Sequence, residues 1–336
     1  MPGRPGVSIV SQIGLETTPG TAVAANRFLP TFSFLPRLRR ETKQFRAQGS
    51  KYNTSSVKHR QFAEGGYDGV LDYNSFIYIM NGLVVPVTTP AAVAGSTTGK
   101  KWEFLPNSRA LDNPKTFTVE RGDATAAEQY SYGQLSSMNV TLGQEENKVS
   151  GNMFARTLVP GITLASSPQT VPERPVERGQ INVYLDSTYG TIGTTQITDP
   201  FEEEIQLGEK FKPKFVHNTS YQSFKDSIEV APSLVFSFMQ EHNAQSRAHL
   251  LSSLSTDALW YLRIQAKGLD LSTLQDGSVR ETIEFDLAGK FMEPEEIMDA
   301  VGQGVYAYKY NFVALDDPDG MGRPWRNTVI NTRTTL

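Results

Sequence analysis

Apolar and polar residues alternate with a period of two along most of the chain, a pattern that predicts strands. The clearest run puts Val279, Glu281, Ile283, Phe285 and Leu287 on one face and Arg280, Thr282, Glu284 and Asp286 on the other. A single glutamate interrupts its apolar side. Trp260, Leu262, Ile264 and Ala266 alternate in the same way, as do Met138, Val140 and Leu142, and Tyr306, Tyr308, Tyr310 and Phe312. Strands of this kind bury one face and leave the other for water or a partner. Two segments change to a helical period. Phe76, Ile77, Met80 and Leu83, with Gly82 near the end, predict one short helix; Ala248, Leu251 and Leu254, with Leu250, predict another behind an Asn243 cap. The chain therefore reads as mainly β, with two short helices packed on sheets.

The pattern occurs twice. Gly14 to Thr21 (GLETTPGT) matches Tyr184 to Thr191 (YLDSTYGT) at an offset of 170. Pro30 then falls on Pro200, Leu35 on Ile205 and Phe45 on Phe215, and after one extra residue the helix near Tyr73 to Leu83 meets the one near Asn243 to Leu254. An offset of about half the length predicts a duplicated unit. The prolines and glycines from Pro160 to Gly179 read as an extended linker. The expected organisation is a first β domain over 1–160, a linker over 161–179 and a second β domain over 180–315. The stretch from Pro86 to Lys100 reads as a long loop. Residues 316–336 show no core periodicity and are expected to form an extended arm, anchored on an adjacent subunit or ring by Trp325 and Val329.

With 336 residues, each half has about 170, enough to bury a core of its own. The absence of cysteine excludes disulfides, thiolate metal sites and a cysteine nucleophile. No apolar run resembles a signal-peptide core or a membrane span, so the expectation is a soluble chain that is not exported. The net charge of -4 hides an asymmetry: residues 1–170 carry 17 Lys and Arg against 12 Asp and Glu, and residues 171–336 carry 15 against 24. The halves thus stand at +5 and -9, which fits either a nucleic-acid-binding part beside an acidic one or two surfaces that dock on each other.

Catalytic patterns are missing. Gly95-Ser96-Thr97-Thr98-Gly99-Lys100-Lys101 has one residue too few between its glycines for a phosphate loop, and no Ser or Thr follows the lysine. His59, His217, His242 and His249 form no metal motif, and no G-x-S-x-G elbow is present. Glu145-Glu146, Glu202-Glu203-Glu204 and Glu295-Glu296 could in principle hold the acid and base of a glycoside hydrolase. Alternation in a strand would instead put Glu202 and Glu204 on one face and Glu203 on the other, which suits a charged surface. No enzymatic activity, cofactor or metal is expected. Arg37, Arg39, Arg40, Lys43 and Arg46, continued by Lys51, Lys58 and Arg60 with Phe45 and Tyr52 between them, could bind nucleic acid. The corresponding stretch of the second half is mixed in sign, and a subunit contact through the five leading cations is the preferred reading.

The opening Gly14-Leu15-Glu16-Thr17-Thr18-Pro19-Gly20-Thr21-Ala22-Val23 followed by Phe28-Leu29-Pro30, and the later Leu262-Arg263-Ile264-Gln265-Ala266-Lys267-Gly268 followed by Glu284-Phe285-Asp286-Leu287-Ala288-Gly289-Lys290-Phe291, resemble the major tail tube proteins of long-tailed phages. The resemblance covers most of residues 7–315. It implies β-sandwich domains with a flanking helix, assembled into rings whose inner strands close a barrel, with rings stacked as the conduit for DNA ejection. It also implies a place in the virion tail after synthesis in the host cytoplasm, with tape measure protein and genomic DNA in the lumen and no membrane. Simple members carry one unit and form six-fold rings. Two tandem units imply a homotrimeric, pseudo-hexameric ring, with a homohexamer as the alternative. Passage of DNA requires a wall that does not hold phosphates, which makes Glu202, Glu204, Glu284 and Asp286 the candidate lumen-facing acids.

Two other readings stay open at this point. One is a carbohydrate-binding or carbohydrate-cleaving β-sandwich using Trp102 and Trp325 beside a carboxylate pair. The other is a single-ring baseplate or tail-terminator component.

Overall fold

The computed structural model describes residues 9–123, 125–217, 223–255, 258–300 and 304–336. The first half forms β1 (Val10–Leu15), β2 (Arg27–Phe28), β3 (Phe32–Phe45), β4 (Ser55–Val70), α1 (Phe76–Asn81), β5 (Ala91–Ala92), β6 (Lys100–Phe104), β7 (Phe117–Gly122), β8 (Ala127–Leu135), β9 (Met138–Leu142), β10 (Asn147–Ala155) and β11 (Thr157–Ile162). The remainder forms β12 (Gln169–Thr170), β13 (Ile181–Asp186), β14 (Pro200–Leu207), β15 (Phe211–Lys214), β16 (Asp226–Glu229), β17 (Leu234–Glu241) and α2 (Ala244–Ser255). It closes with β18 (Trp260–Asp270), β19 (Arg280–Phe291), β20 (Glu295–Ala300), β21 (Val305–Ala314) and β22 (Trp325–Asn331). The protein is mainly β, as the alternation predicts. Among the described residues no helix is long and apolar enough to cross a membrane.

The strands lie in three open ladders. The longest runs β3-β4-β10-β9-β14-β17-β21-β20, antiparallel throughout, and crosses from the first half to the second at β9–β14. A second runs β12-β2-β1-β7-β8-β11, and a third β13-β18-β19-β22-β6-β5. Short contacts of β8 with β10 and of β19 with β21 join the ladders at corners. The small β15–β16 hairpin pairs with neither neighbour and is called the flap below.

Six pairings recur. β1–β7, β7–β8, β3–β4, β4–β10, β9–β10 and β8–β10 have the same order as β13–β18, β18–β19, β14–β17, β17–β21, β20–β21 and β19–β21. α1 follows β4 as α2 follows β17. The offset of 170 holds at the first strands. There Glu16 and Asp186 are both buried carboxylates that tie the next loop to their strand. Glu16 accepts from the Gly20 and Tyr132 N–H groups and from the Thr116 and Thr118 hydroxyls. Asp186 accepts from the Gly193, Thr194 and Thr195 N–H groups and the Thr194 hydroxyl. Burial raises the Asp186 carboxyl, but the hydrogen bonds from Thr195, Thr194 and Gly193 outweigh it and hold the pKa below its ordinary value.

The equation of Leu35 with Ile205 is corrected. Ile205 is buried and Leu35 lies on the opposite face from the buried Phe32 and Phe34. Since a slip of one residue exchanges the two faces of a strand, the matching residues are Phe34 and Ile205, and the extra residue enters before β14.

α1 is buried at every residue, as its position in the centre of the core requires. α2 begins at its expected cap, with the Asn243 side chain accepting from the Ser246 N–H at 2.9 Å. Its buried face is not the expected one. Leu251 is 58% exposed, and Ser246 and His249 point inward instead. Tyr310 donates its hydroxyl to the Ser246 carbonyl and His249 meets Gln240 and the Tyr310 ring, so these polar contacts set the rotation of the helix and leave Leu251 outside. The side chain of Leu254 lies outside the described residues.

The expected linker is extended but pinned. The buried Asp72 accepts from the N–H groups of Asn74, Ser75 and Arg174, and Val171 and Val176 are buried. The Pro86–Lys100 loop carries the two-residue β5, and Ser96 donates its hydroxyl to the Leu271 carbonyl at 2.5 Å. Its Gly95–Lys101 run is therefore a turn that fastens the two halves.

The C-terminal segment differs most from expectation. Trp325 and Val329 are buried, and β22 is inserted between β19 and β6 of its own chain. Trp325, Asn327, Val329 and Asn331 alternate inward. The two asparagines conceal the strand period in the sequence because each answers a buried partner: Asn331 accepts from the Trp102 indole and donates to the Tyr73 carbonyl, and Asn327 donates to the Glu284 carbonyl.

Candidate functional site

The two faces of the long ladder differ sharply. Following the register across seven strands gives Phe32, Gly69, Val149, Val140, Ile205, Phe236 and Phe312 on one side, and all but the glycine are buried. The next positions give Ser33, Asp68, Ser150, Asn139, Gln206, Val235 and Val313 on the other. The polar face continues through Thr141, Glu204, Ser237 and Asn311. A shallow depression of about 490 Å³ crosses it at the β9–β14 seam, lined by Asp68, Asn139, Ser150 and Gln206 among others.

The four candidate acids do not share this surface. Glu204 lies on the polar face, where Asn139 and Gln206 donate amide hydrogens to it at 2.8 Å, and Glu202 is exposed beside a bulge at the start of β14. Glu284 and Asp286 are on β19 in the third ladder. Asp286 is fully buried between Arg263, at 2.6 Å, and Arg326, at 2.6 Å, and Glu284 lies 3.2 Å from Arg263. Burial and the adjacent Asp286 raise the Glu284 carboxyl. This cluster neutralises its own acids, because each is matched by a guanidinium.

Glu203 faces the core at the seam, beside Leu142 of β9 and Phe238 of β17. Desolvation pushes its carboxyl up to about 7, against the attraction of Arg178 and with a small push from Glu202. A carboxyl that holds its proton more tightly when folded contributes stability that is complete below the unfolded pKa of about 4.5 and lost as pH rises to about 7. Glu203→Gln is accordingly expected to raise stability at pH 8 by roughly 2–3 kcal/mol and to change nothing at pH 4. Urea unfolding at both pH values checks it, and an equal gain at the two would contradict the assignment.

The basic stretch is the outer part of the β3–β4 hairpin. Arg37, Arg39, Arg40 and Lys43 lie on β3 and Arg46 just beyond it, all exposed. Arg39 pairs with Glu64, and Arg60 grips Glu41 through two bonds of 2.8 and 3.0 Å. Among the described residues Arg37, Lys43 and Arg46 have no acidic partner. Leu38, Phe45, Tyr52 and Val57 are exposed on the same hairpin.

Both ends of the long ladder are free edges. Among the described residues β3 pairs only with β4, and β20 only with β21. The β3 edge is blunted: the Phe34 N–H is donated to the Ser11 hydroxyl at 3.2 Å, and Pro36 has no N–H to offer. The β20 edge and its approach carry Glu293, Glu295, Glu296 and Asp299, all exposed, and Met298, 76% exposed.

Features invisible in the sequence complete the surface. The flap folds over the hairpin base on the polar side. Phe211, Phe215 and Phe224 meet Phe62, Tyr132 and Phe154 there, with ring centroids 5.1–5.3 Å apart for three of these pairs. Lys210 at the flap's root is buried with Asp112, and Glu229 lies 3.5 Å from it. Six aromatic residues scattered over the chain gave no local signal for this cluster, because only the tertiary fold joins them.

Trp102 and Trp325, the aromatics of the carbohydrate reading, are both buried. Among the described residues no group of three or more metal-ligating side chains exists. No protein-family model matches the chain, and no curated protein is significantly similar to it.

Proposed function

We propose that this protein is a structural subunit of a phage tail tube, built from two tandem β-sandwich units and closing into a ring of three chains whose long ladders join as one barrel. One observation carries the reading. Inside the chain, β9 of the first unit pairs with β14 of the second; the equivalents of these strands in the repeated pattern are β20 and β3, and those are the two free edges of the same ladder. A copy-to-copy β20–β3 seam repeats the contact already made within the chain, and two units per chain close a six-unit ring with three copies. The Ser11 hydroxyl then turns away to release the Phe34 N–H. Charge favours the match, since the β20 edge is acidic and β3 is basic, and opposite-sign surfaces steer association.

Size supports it as well. Eight strands from each of three chains make about 24 strands; at ~4.8 Å spacing the circumference is about 115 Å and the diameter at least about 37 Å before tilt widens it. A DNA duplex roughly 20 Å across passes such a channel, with a tape measure protein occupying it beforehand. The polar ladder face bearing Glu202 and Glu204 forms the wall, and its cations Arg37, Arg39, Lys148 and Lys309 are interspersed with Glu64, Asp68, Glu204 and Glu295, which weakens any hold on phosphates. The role is non-enzymatic. A saccharide-binding role has lost its support, since neither Trp102 nor Trp325 can stack on a sugar.

Native mass spectrometry and negative-stain microscopy of the purified chain test the proposal. Rings of three chains that stack into tubes are expected. Persistent monomers sink it, six-chain rings refute the trimer while sparing the tube, and rings that never stack move the protein to a terminator or baseplate role.

A further inference from the structure

On the polar face of the long ladder, strands β17 and β21 break the polar row with Val235 and Val313, both half-buried, and the chain continues on that side to Leu315, which is 39% exposed. The repeated pairing equates Asn152 and Phe154 of β10 with Val313 and Leu315. In the first unit this place is covered: the flap lays Phe211 and Phe224 over Phe154 and Phe62. The flap connects β14 to β17, so its counterpart in the first unit is the outer part of the β3–β4 hairpin, which connects β3 to β4. That hairpin leaves Leu38, Phe45 and Val57 exposed.

We infer that the β3–β4 hairpin of one copy packs over the Val235–Val313–Leu315 patch of its neighbour, as the flap packs over the first unit within a chain. This rests on the proposed ring, because the β20–β3 seam is what brings the hairpin alongside the patch. Both sides of the contact are apolar areas on otherwise polar surfaces, and contiguous exposed apolar residues mark interaction sites. The flap replaces a projecting hairpin in the second unit, so each ring carries hairpin and flap alternately, every one leaning on the unit beside it.

The chain has no cysteine, so engineered pairs report contacts without background. In assembled protein, Leu315→Cys would be combined in turn with Leu38→Cys, Phe45→Cys and Val57→Cys, and a separate seam pair would join Glu295→Cys to Ser33→Cys, the counterparts of the Thr141–Glu204 pair inside the chain. Oxidation is expected to give covalent dimers and trimers, ending at three chains, for the seam pair and for at least one hairpin pair. Trimers from the seam pair with no link from any hairpin pair would overturn this inference alone. Hairpin-linked products longer than three chains would overturn it too, since they place the hairpin against another ring. Failure of the seam pair and the hairpin pairs together removes the ring itself. As a second measure, Leu315→Glu should raise the concentration needed for ring formation about tenfold, the effect of leaving one such side chain unburied, with the monomer's unfolding midpoint unchanged. An unaltered assembly concentration would count against the contact.

Discussion

Glu293→Lys with Glu295→Lys is expected to leave the monomer folded and to abolish ring formation at concentrations where the parent chain assembles. Both side chains are exposed at the free β20 edge, and among the described residues neither forms an ion pair, so removing them costs the isolated chain little. In the ring they meet the basic strand β3 of the next copy, where Arg37 and Arg39 lie on the same face of the ladder as Glu295. Replacing attraction by repulsion across a strand pair costs several kcal/mol per seam, and a closed ring pays it three times. The assembly concentration should rise by at least about a hundredfold. Adding Arg37→Glu and Arg39→Glu to the same chain should restore rings by reversing the other side. Analytical ultracentrifugation with circular dichroism separates lost assembly from lost folding. Normal rings from the double-lysine variant would show that β20 is not the closing edge. In the parent protein, salt should slow assembly for the same reason.

Lys210→Met should destabilise the monomer by about 3–5 kcal/mol, the cost of leaving a buried charge without its partner. The Lys210 and Asp112 side chains are 3% and 1% exposed, with Glu229 close by. Asp112 also accepts from the Asn107 N–H, and its own N–H is donated to Glu229, so the pair holds a long loop against the root of the flap. Lys210→Met combined with Asp112→Asn should recover most of the loss, since a neutral amide can keep the Asn107 bond without a stranded charge. Urea midpoints of the two variants decide it. A single variant as stable as the parent would mean that the ion pair does not form.

What the sequence determined is local and periodic. Val279 to Leu287 reads directly as a strand, and β19, which starts at Arg280, carries Ile283, Phe285 and Leu287 inward, with Glu281 as the buried acid that interrupts them. The recurrence of GLETTPGT as YLDSTYGT corresponds to two strands that each end in a buried, loop-holding carboxylate. Period and repetition are visible because they follow from bond geometry and are written into neighbouring residues. Non-local pairing is different. Whether Ala248 and Leu251 or Ser246 and His249 face inward on α2 depended on what Tyr310 and Gln240 offered from distant strands. The last segment looked like a free arm because Asn327 and Asn331 occupy inward positions, and their partners, the Glu284 carbonyl, Trp102 and the Tyr73 carbonyl, come from elsewhere in the chain. The flap cluster and the separation of Glu204 from Glu284 are equally tertiary decisions. Alternation tells which residues of a strand share a face; only the completed sheet decides which strands lie side by side, what each face meets, and which edges remain unpaired.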